Sequence, residues 1–289
     1  MMLCIVLALL PQPVRAAVVG VVTVAEGESH LIRGSGYFKL EKGIDLEEGD
    51  VIHTKDAATV QAEMRDGSIF EVGPASEFYI NEYRLRDDRS VESAAVSLVK
   101  GWLRFVAAKL RPSRRYEINL SVATIGIRGT EGVVSVDADS SSLLLNQGEV
   151  EFIEVNQAGE LGVAGLVQPG EFIRRDRGKP FSKHRTASKS FLAKMPGRFK
   201  TRPKRYKSTL KRRGVKPKLL RTVRDQDLER IFRSNPRVRQ KSKARFGTRT
   251  RDIDQKRGRK PISQQTKPAK ITGAGKQKQK KIKGRGSKK

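Results

Sequence analysis

The stretch Val122–Val136, V-A-T-I-G-I-R-G-T-E-G-V-V-S-V, constrains the fold of this chain more than any other. Its first half is apolar and β-branched, as in a largely buried strand, and Val133-Val134-Ser135-Val136-Asp137 begins a second one. Gly126, Gly129 and Gly132 stand at three-residue spacing, with Arg128 and Thr130 between them. Glycines this dense in β-prone sequence call for bulges, sharp turns or close backbone packing, not for a helix.

The same alternation of short β runs and glycine or acidic turns extends from Ala17 to Ile173. Val18–Ala25 is nearly continuous β-branched sequence, and Gly49-Asp50 reads as a turn. Val60, Ala62 and Met64 alternate with Gln61, Glu63 and Arg65, the period of a half-buried strand. Asp66-Gly67-Ser68 follows as a hairpin turn before Ile69, Phe70 and Val72. Gly73-Pro74-Ala75-Ser76 is a further turn. The charged segment 84–93 reads as a loop, Ala94–Val99 as a strand, Lys100-Gly101 as a turn and Trp102–Ala107 as a separate strand. Tyr116, Ile118 and Leu120 alternate into the opening stretch. About a dozen strands at a spacing of about 8–12 residues predict an all-β domain.

Charge divides the chain. Residues 1–180 carry 20 Lys+Arg against 26 Asp+Glu, a net of −6, and residues 181–289 carry 40 against 5, a net of +35; together these give the overall +29. So few apolar residues accompany that charge that 176–289 is expected to be a largely disordered Lys/Arg-rich tail. One exception is local: Leu220, Val223, Leu228, Ile231 and Phe232 recur at helical spacing before Asn235-Pro236, predicting a short helix near 219–233.

At the other end, the apolar run Leu3–Leu10, then Pro11, Pro13 and Val14-Arg15-Ala16, reads as an export signal over 1–16, cleaved between Ala16 and Ala17. The run is about half the ~20 residues a membrane-spanning helix needs. No Lys or Arg precedes it, which departs from the signal pattern; the competing reading is a buried N-terminal strand. Cys4, the single cysteine, would leave with the signal. The layout is thus a signal at 1–16, a β domain at 17–175 and a basic tail at 176–289.

The motifs of the β region carry a resemblance. Asp66-Gly67-Ser68, Gly73-Pro74-Ala75-Ser76, Gly101-Trp102, Ile127–Val136, Gln147-Gly148-Glu149-Val150 and Pro169-Gly170-Glu171 occur in an order similar to that of the FecR domain. That domain is the periplasmic sensing part of the bacterial ferric-citrate regulator and of many stand-alone exported proteins. The resemblance covers about Val18–Ile173, and R-G-T is its most specific element. It implies an all-β, solenoid-like fold of the twin-stranded β-helix type, in which two short strands form each rung. The regulator's cytoplasmic segment, transmembrane helix and C-terminal signalling module have no counterpart in the sequence, so iron-uptake signalling is not carried over.

Two readings are open for Gly126, Arg128, Gly129 and Thr130. In the favoured one, a buried or half-buried Arg128 locks neighbouring rungs by satisfying its donors on carboxylates or carbonyls, with Gly126 and Gly129 allowing close backbone approach. In the other, Arg128, Thr130 and exposed amides bind an anion. Catalysis finds little support: His30, His53 and His184 are scattered, no metal-ligand spacing occurs, and no G-x-S-x-G elbow is present. No catalytic, cofactor or metal residue is assigned, and the chain reads as a non-enzyme. Trp102 and Phe105 read as strand core rather than as a stacking platform.

Function then rests on the two halves. The first hypothesis is an exported, periplasmic or envelope-associated binding and scaffolding protein whose tail tethers it to a polyanion: lipid phosphate, lipopolysaccharide or an acidic wall polymer. A net of +35 attracts any polyanion by counterion release. A flexible coil of this length spans about 55–60 Å. The alternatives are nucleic-acid binding through the same tail, and a signalling module related to FecR sensing that binds a protein partner.

Overall fold

The computed structural model describes residues 17–87, 90–108, 115–156, 158–201, 215–224, 226, 227 and 230. The signal reading of 1–16, Ala16 included, and most of the basic tail lie outside these residues; Ala17 is exposed just ahead of the first strand.

Eighteen strands occur among the described residues. They are β1 Val18–Glu26, β2 Ser29–Arg33, β3 Gly36–Lys39, β4 Asp45–Glu47, β5 Val51–Thr54 and β6 Thr59–Met64. β7 Ile69–Val72, β8 Glu77–Asp87, β9 Ser90–Val106, β10 Arg115–Asn119, β11 Ala123–Ile127 and β12 Glu131–Val136 follow. The series ends with β13 Ser140–Gln147, β14 Val150–Val155, β15 Leu161–Val167, β16 Phe172–Asp176, β17 Ser182–His184 and, further on, β18 Leu219–Thr222. A short helix α1, Lys189–Lys194, and a 3-10 turn, Gly197–Lys200, lie between β17 and β18.

The all-β class expected from the strand spacing is what the chain adopts. The strands pair along two layers. One runs β4-β1-β6-β7-β9-β12-β13-β16-β17. The other runs β18-β3-β2-β5-β8-β9-β10-β11-β14-β15. From β5 onward the chain crosses repeatedly between layers, so both grow in the same direction. β9 belongs to both and joins them into one hydrogen-bonded sheet. Its first part pairs with β8 and β10, and Gly101–Val106 pairs with β7 and β12.

Alternation sends one face of each layer into a shared core. Val22, Ala62, Phe70, Leu103, Phe105, Val134 and Leu143 of the first layer meet Leu31, Ile52, Phe78, Val96, Ile118, Ile125 and Phe152 of the second. Phe70 and Phe78 lie 5.2 Å apart across it, and Phe70 and Tyr116 6.0 Å apart.

Four sequence expectations are corrected. Ala94–Val99 and Trp102–Ala107 are not separate strands: β9 continues through Lys100, and Gly101, at φ +88°, bends it from one layer to the other. The charged segment 84–93 is not a loop, because β8 runs to Asp87 and β9 starts at Ser90. The polymer does not change character at 175 either. Residues 176–201 continue the sheet through β16 and β17 and then cover it, with Phe191 and Phe199 buried. The helix expected near 219–233 begins instead as β18, which pairs with β3; only Gln226, Asp227 and Arg230 are helical among its described residues. A short isolated helix gains little, whereas an open sheet edge offers hydrogen bonds to the same backbone.

Candidate functional site

The family-like motifs are structural joints, and they meet in pairs. In the first pair, Ser76 Oγ accepts the Trp102 amide at 2.8 Å and donates to the Pro74 carbonyl at 2.9 Å. Thr54 Oγ1 donates to the Gly73 carbonyl at 2.6 Å and accepts from the Ser76 amide at 2.9 Å. The G-P-A-S turn is thereby fixed beside the bend of β9.

The D-G-S motif closes the β6–β7 hairpin. Asp66 accepts from the Ser68 amide at 3.0 Å, from Ser68 Oγ at 2.8 Å and from the Tyr83 hydroxyl at 2.7 Å. Ser68 Oγ accepts the Ala108 amide at 3.0 Å. Burial pushes both the Tyr83 and Tyr116 hydroxyls well above the usual tyrosine value, each further raised by the Asp66 charge. Asp66, Gly67 and Ser68 therefore tie a turn to the core.

The R-G-T stretch departs from the favoured sequence reading. Arg128 sits at the exposed tip between β11 and β12, and no carboxylate is paired with it among the described residues. Gly126 makes no close approach: a Cβ there would come no nearer than 3.9 Å to another residue. Thr130 is buried, its hydroxyl unbonded, and Gly148 packs on it so tightly that a Cβ would stand 2.7 Å from Thr130 Cγ2. The joint lies between the R-G-T and Q-G-E turns, and Arg128 is exposed beside it.

The buried arginine expected at 128 is found at 104. Arg104, 2% exposed, pairs with Glu131 at 2.6 Å and lies 3.6 Å from Glu71 on the outer face of the first layer. Its guanidinium also donates to the Thr201 carbonyl. Arg198 pairs with Glu71 at 3.2 Å and with Glu26 at 2.8 Å. Burial raises the Glu71 carboxyl above its ordinary value, against the pull of Arg198 and Arg104.

Around this network the start of the tail forms a cover. Ser188 caps α1, accepting the Phe191 amide at 3.2 Å. Phe191 then packs on Trp102, with ring centroids 5.1 Å apart, and on Phe172 at 4.9 Å; Phe199 joins Val133 in the same cluster. A cavity of about 790 Å³ remains between cover and sheet, bordered by Arg104, Glu131, Leu144, Gln147, Met195 and Thr201. Phe105 is core, as expected, whereas Trp102 faces outward under the cover.

On the outer face of the second layer, pairing of β2 with β5 sets His30 opposite His53, their rings 6.4 Å apart. His53 Nδ1 lies 3.3 Å from Glu77, and Lys100 Nζ 2.9 Å from it. Burial favours the neutral form of Glu77, but these two partners outweigh it and hold the carboxyl below its usual range. Sequence alone left the histidines scattered, since only the non-local β2–β5 register brings them together. Among the described residues no group of three or more His, Cys, Asp or Glu side chains gathers as for a metal ion. None of their helices is long and apolar enough to cross a membrane, which says nothing of strands.

Residues 50–151 match the family model described as FecR protein, a span running from the start of β5 to that of β14. Residues 50–151 carry a FecR domain. The matched span holds the D-G-S, G-P-A-S, Gly101-Trp102, R-G-T and Q-G-E joints; the P-G-E turn lies beyond it, as do β1–β4 and β15–β18. Two crystal structures of a protein described as an anti-sigma factor of Parabacteroides distasonis ATCC 8503 are similar in shape. Their TM-scores are 0.40 and 0.39 at 14% and 13% identity; each comparison covers 50% of this chain and 62% or 63% of the other. The chain thus spans less than two thirds of those structures. Comparison with curated proteins gives no match.

Proposed function

We propose that this chain is a non-catalytic FecR-domain binding protein with a regulatory role at the cell envelope, exported by its N-terminal signal and tethered by its basic tail to an anionic polymer. The observation that carries this reading is the juxtaposition, in one chain, of a FecR domain with a segment bearing 40 basic and 5 acidic residues. The motif residues support binding over catalysis, because they hydrogen-bond turns and neighbouring strands rather than converge in a cleft. Growth of both layers in one direction supports a twin-stranded solenoid of the FecR type.

The polyanion is lipid phosphate, lipopolysaccharide or an acidic wall polymer, and attraction by counterion release makes its capture steeply salt-dependent. The test is fractionation of cells producing the full-length chain, with mass spectrometry of its N-terminus. A mature protein starting at Ala17 in the envelope fraction, released by salt, supports the proposal. A chain retaining Met1 and recovered from the cytosol on nucleic acid would replace it with nucleic-acid binding through the tail.

A further inference from the structure

The returning segment around β18 does more than pair with β3. It forms one wall of a cavity of about 450 Å³ on the outer face of the second layer, within the size range typical of small-molecule sites. Tyr37, His53, Lys55 and Glu77 come from the β domain; Arg221 and Val223 come from the returning segment.

The charges around this cavity are unevenly committed. Glu77 is engaged by His53 and Lys100, and Asp227 by Arg224 at 3.5 Å. Lys55 and Arg221 have no carboxylate partner among the described residues. Arg221 lies over the Tyr37 ring, 4.4 Å from its centroid. This cation–π contact and a hydrogen bond with the Tyr37 hydroxyl hold the guanidinium beside the ring, and one hydroxyl takes only part of an arginine's five donors. Behind Tyr37, His30 stacks at 4.5 Å. It is 7% exposed, and its Nδ1 is buried without a hydrogen-bond partner.

We propose that this cavity binds a small organic phosphate, its phosphoryl group held between Lys55 and Arg221 and its organic part lying against Tyr37, Val223 and Ile32. Lys55, Arg221 and Arg230 line the cavity without a carboxylate partner among the described residues, and such an excess of cations favours a doubly charged phosphoryl group over a carboxylate monoanion; a guanidinium can meet it with two parallel hydrogen bonds. The site uses one arginine of the tail in a defined position. It is therefore separate from the tether, which needs only the tail's summed charge.

The test is calorimetric titration of the full chain with glycerol 3-phosphate at physiological salt, with acetate as the carboxylate comparison. Saturable one-to-one binding is expected, and acetate should bind more weakly. Arg221→Gln and Lys55→Met should each weaken it by about tenfold, the worth of one charge-assisted hydrogen bond. Lys280→Gln, an equal loss of charge elsewhere in the tail, should leave it unchanged. Thermal melts of each variant separate lost binding from lost folding. A vesicle arm, run at salt high enough to suppress the tail's summed attraction, distinguishes the source of the phosphate: if glycerol 3-phosphate or Arg221→Gln releases the chain from phosphatidic acid vesicles, the pocket takes the lipid headgroup. If neither changes vesicle binding while the titration saturates, the pocket takes free ligand. Absence of saturable binding, or equal weakening by all three substitutions, overturns the proposal whether or not the tether holds.

Discussion

Arg104 donates from Nη2 to Glu131 at 2.6 Å while only 2% of its side chain meets solvent. Charges so thoroughly desolvated stay ionised only if paired, and Arg104 draws on carboxylates from β7 and β12 and on a carbonyl of the cover. It thereby joins three segments distant in sequence.

Arg104→Met is accordingly expected to destabilise the domain by about 3–5 kcal/mol, because it strands Glu131 and leaves the buried Glu71 to Arg198 alone. Arg128→Ala, at an exposed turn, should stay within about 0.5 kcal/mol of the parent. Denaturant unfolding of both variants makes the comparison. A large loss at Arg128 with little at Arg104 would reverse the roles assigned to them.

Two glycines beside that turn should also behave differently. Gly148 has φ +85°, and a Cβ there would press on Thr130 and on the Gly129 carbonyl. Gly148→Ala should cost more than about 1 kcal/mol. Gly126 has room for a Cβ and no positive φ, so Gly126→Ala should be close to neutral. Thermal melts read both; equal costs would place the joint elsewhere.

These contrasts mark what could be read from sequence. The strands, their all-β class and the turn motifs were legible because period-2 alternation and D-G or G-P signals are local. Which arginine is buried was not, since Arg104 and Arg128 both follow apolar β residues, and only cross-strand register shows that Glu71 and Glu131 flank the first. Charge also misled at the domain end. Phe191, Phe199 and Val223 are buried although they sit among Lys and Arg, because the sheet supplies the apolar partners that their own neighbourhood lacks. The His30–His53 pair depended on β2 meeting β5, which no local pattern encodes.

Acidification should weaken the fold in two steps. Burial lowers the pKa of His30 from its ordinary 6.5, with His53, Lys55 and Arg221 acting the same way against Glu28. The neutral imidazole is therefore favoured in the folded state. Its contribution is complete above about pH 6.5 and lost as pH falls towards the lowered folded value. Glu77 also has a lowered pKa, so its contribution is present above its ordinary 4.5 and lost at lower pH. His30→Phe keeps a ring beside Tyr37 and should flatten the first step alone; Glu77→Gln should flatten the second. Melting temperature against pH is the measurement, and a first step that persists in His30→Phe would assign it to another group.

The cover over the first layer should open without unfolding the domain. Phe191 and Phe199 lie in a cluster with Val133 and Phe172, separate from the main core that Phe70 and Phe105 occupy. Truncating a buried phenylalanine costs about 3–5 kcal/mol when its contacts are wholly lost. Here that cost falls on local opening rather than on global unfolding. Phe191→Ala combined with Phe199→Ala should accelerate tryptic cleavage at Lys194, Arg198 and Lys200 by about a hundredfold, while thermal unfolding of the β domain moves far less. The Arg198 pairs to Glu26 and Glu71 supply the control: Arg198→Gln keeps the aromatic contacts and should accelerate cleavage at Lys194 and Lys200 only modestly. If the double phenylalanine variant instead unfolds globally at the same temperature at which cleavage begins, the cover is part of the domain's cooperative core.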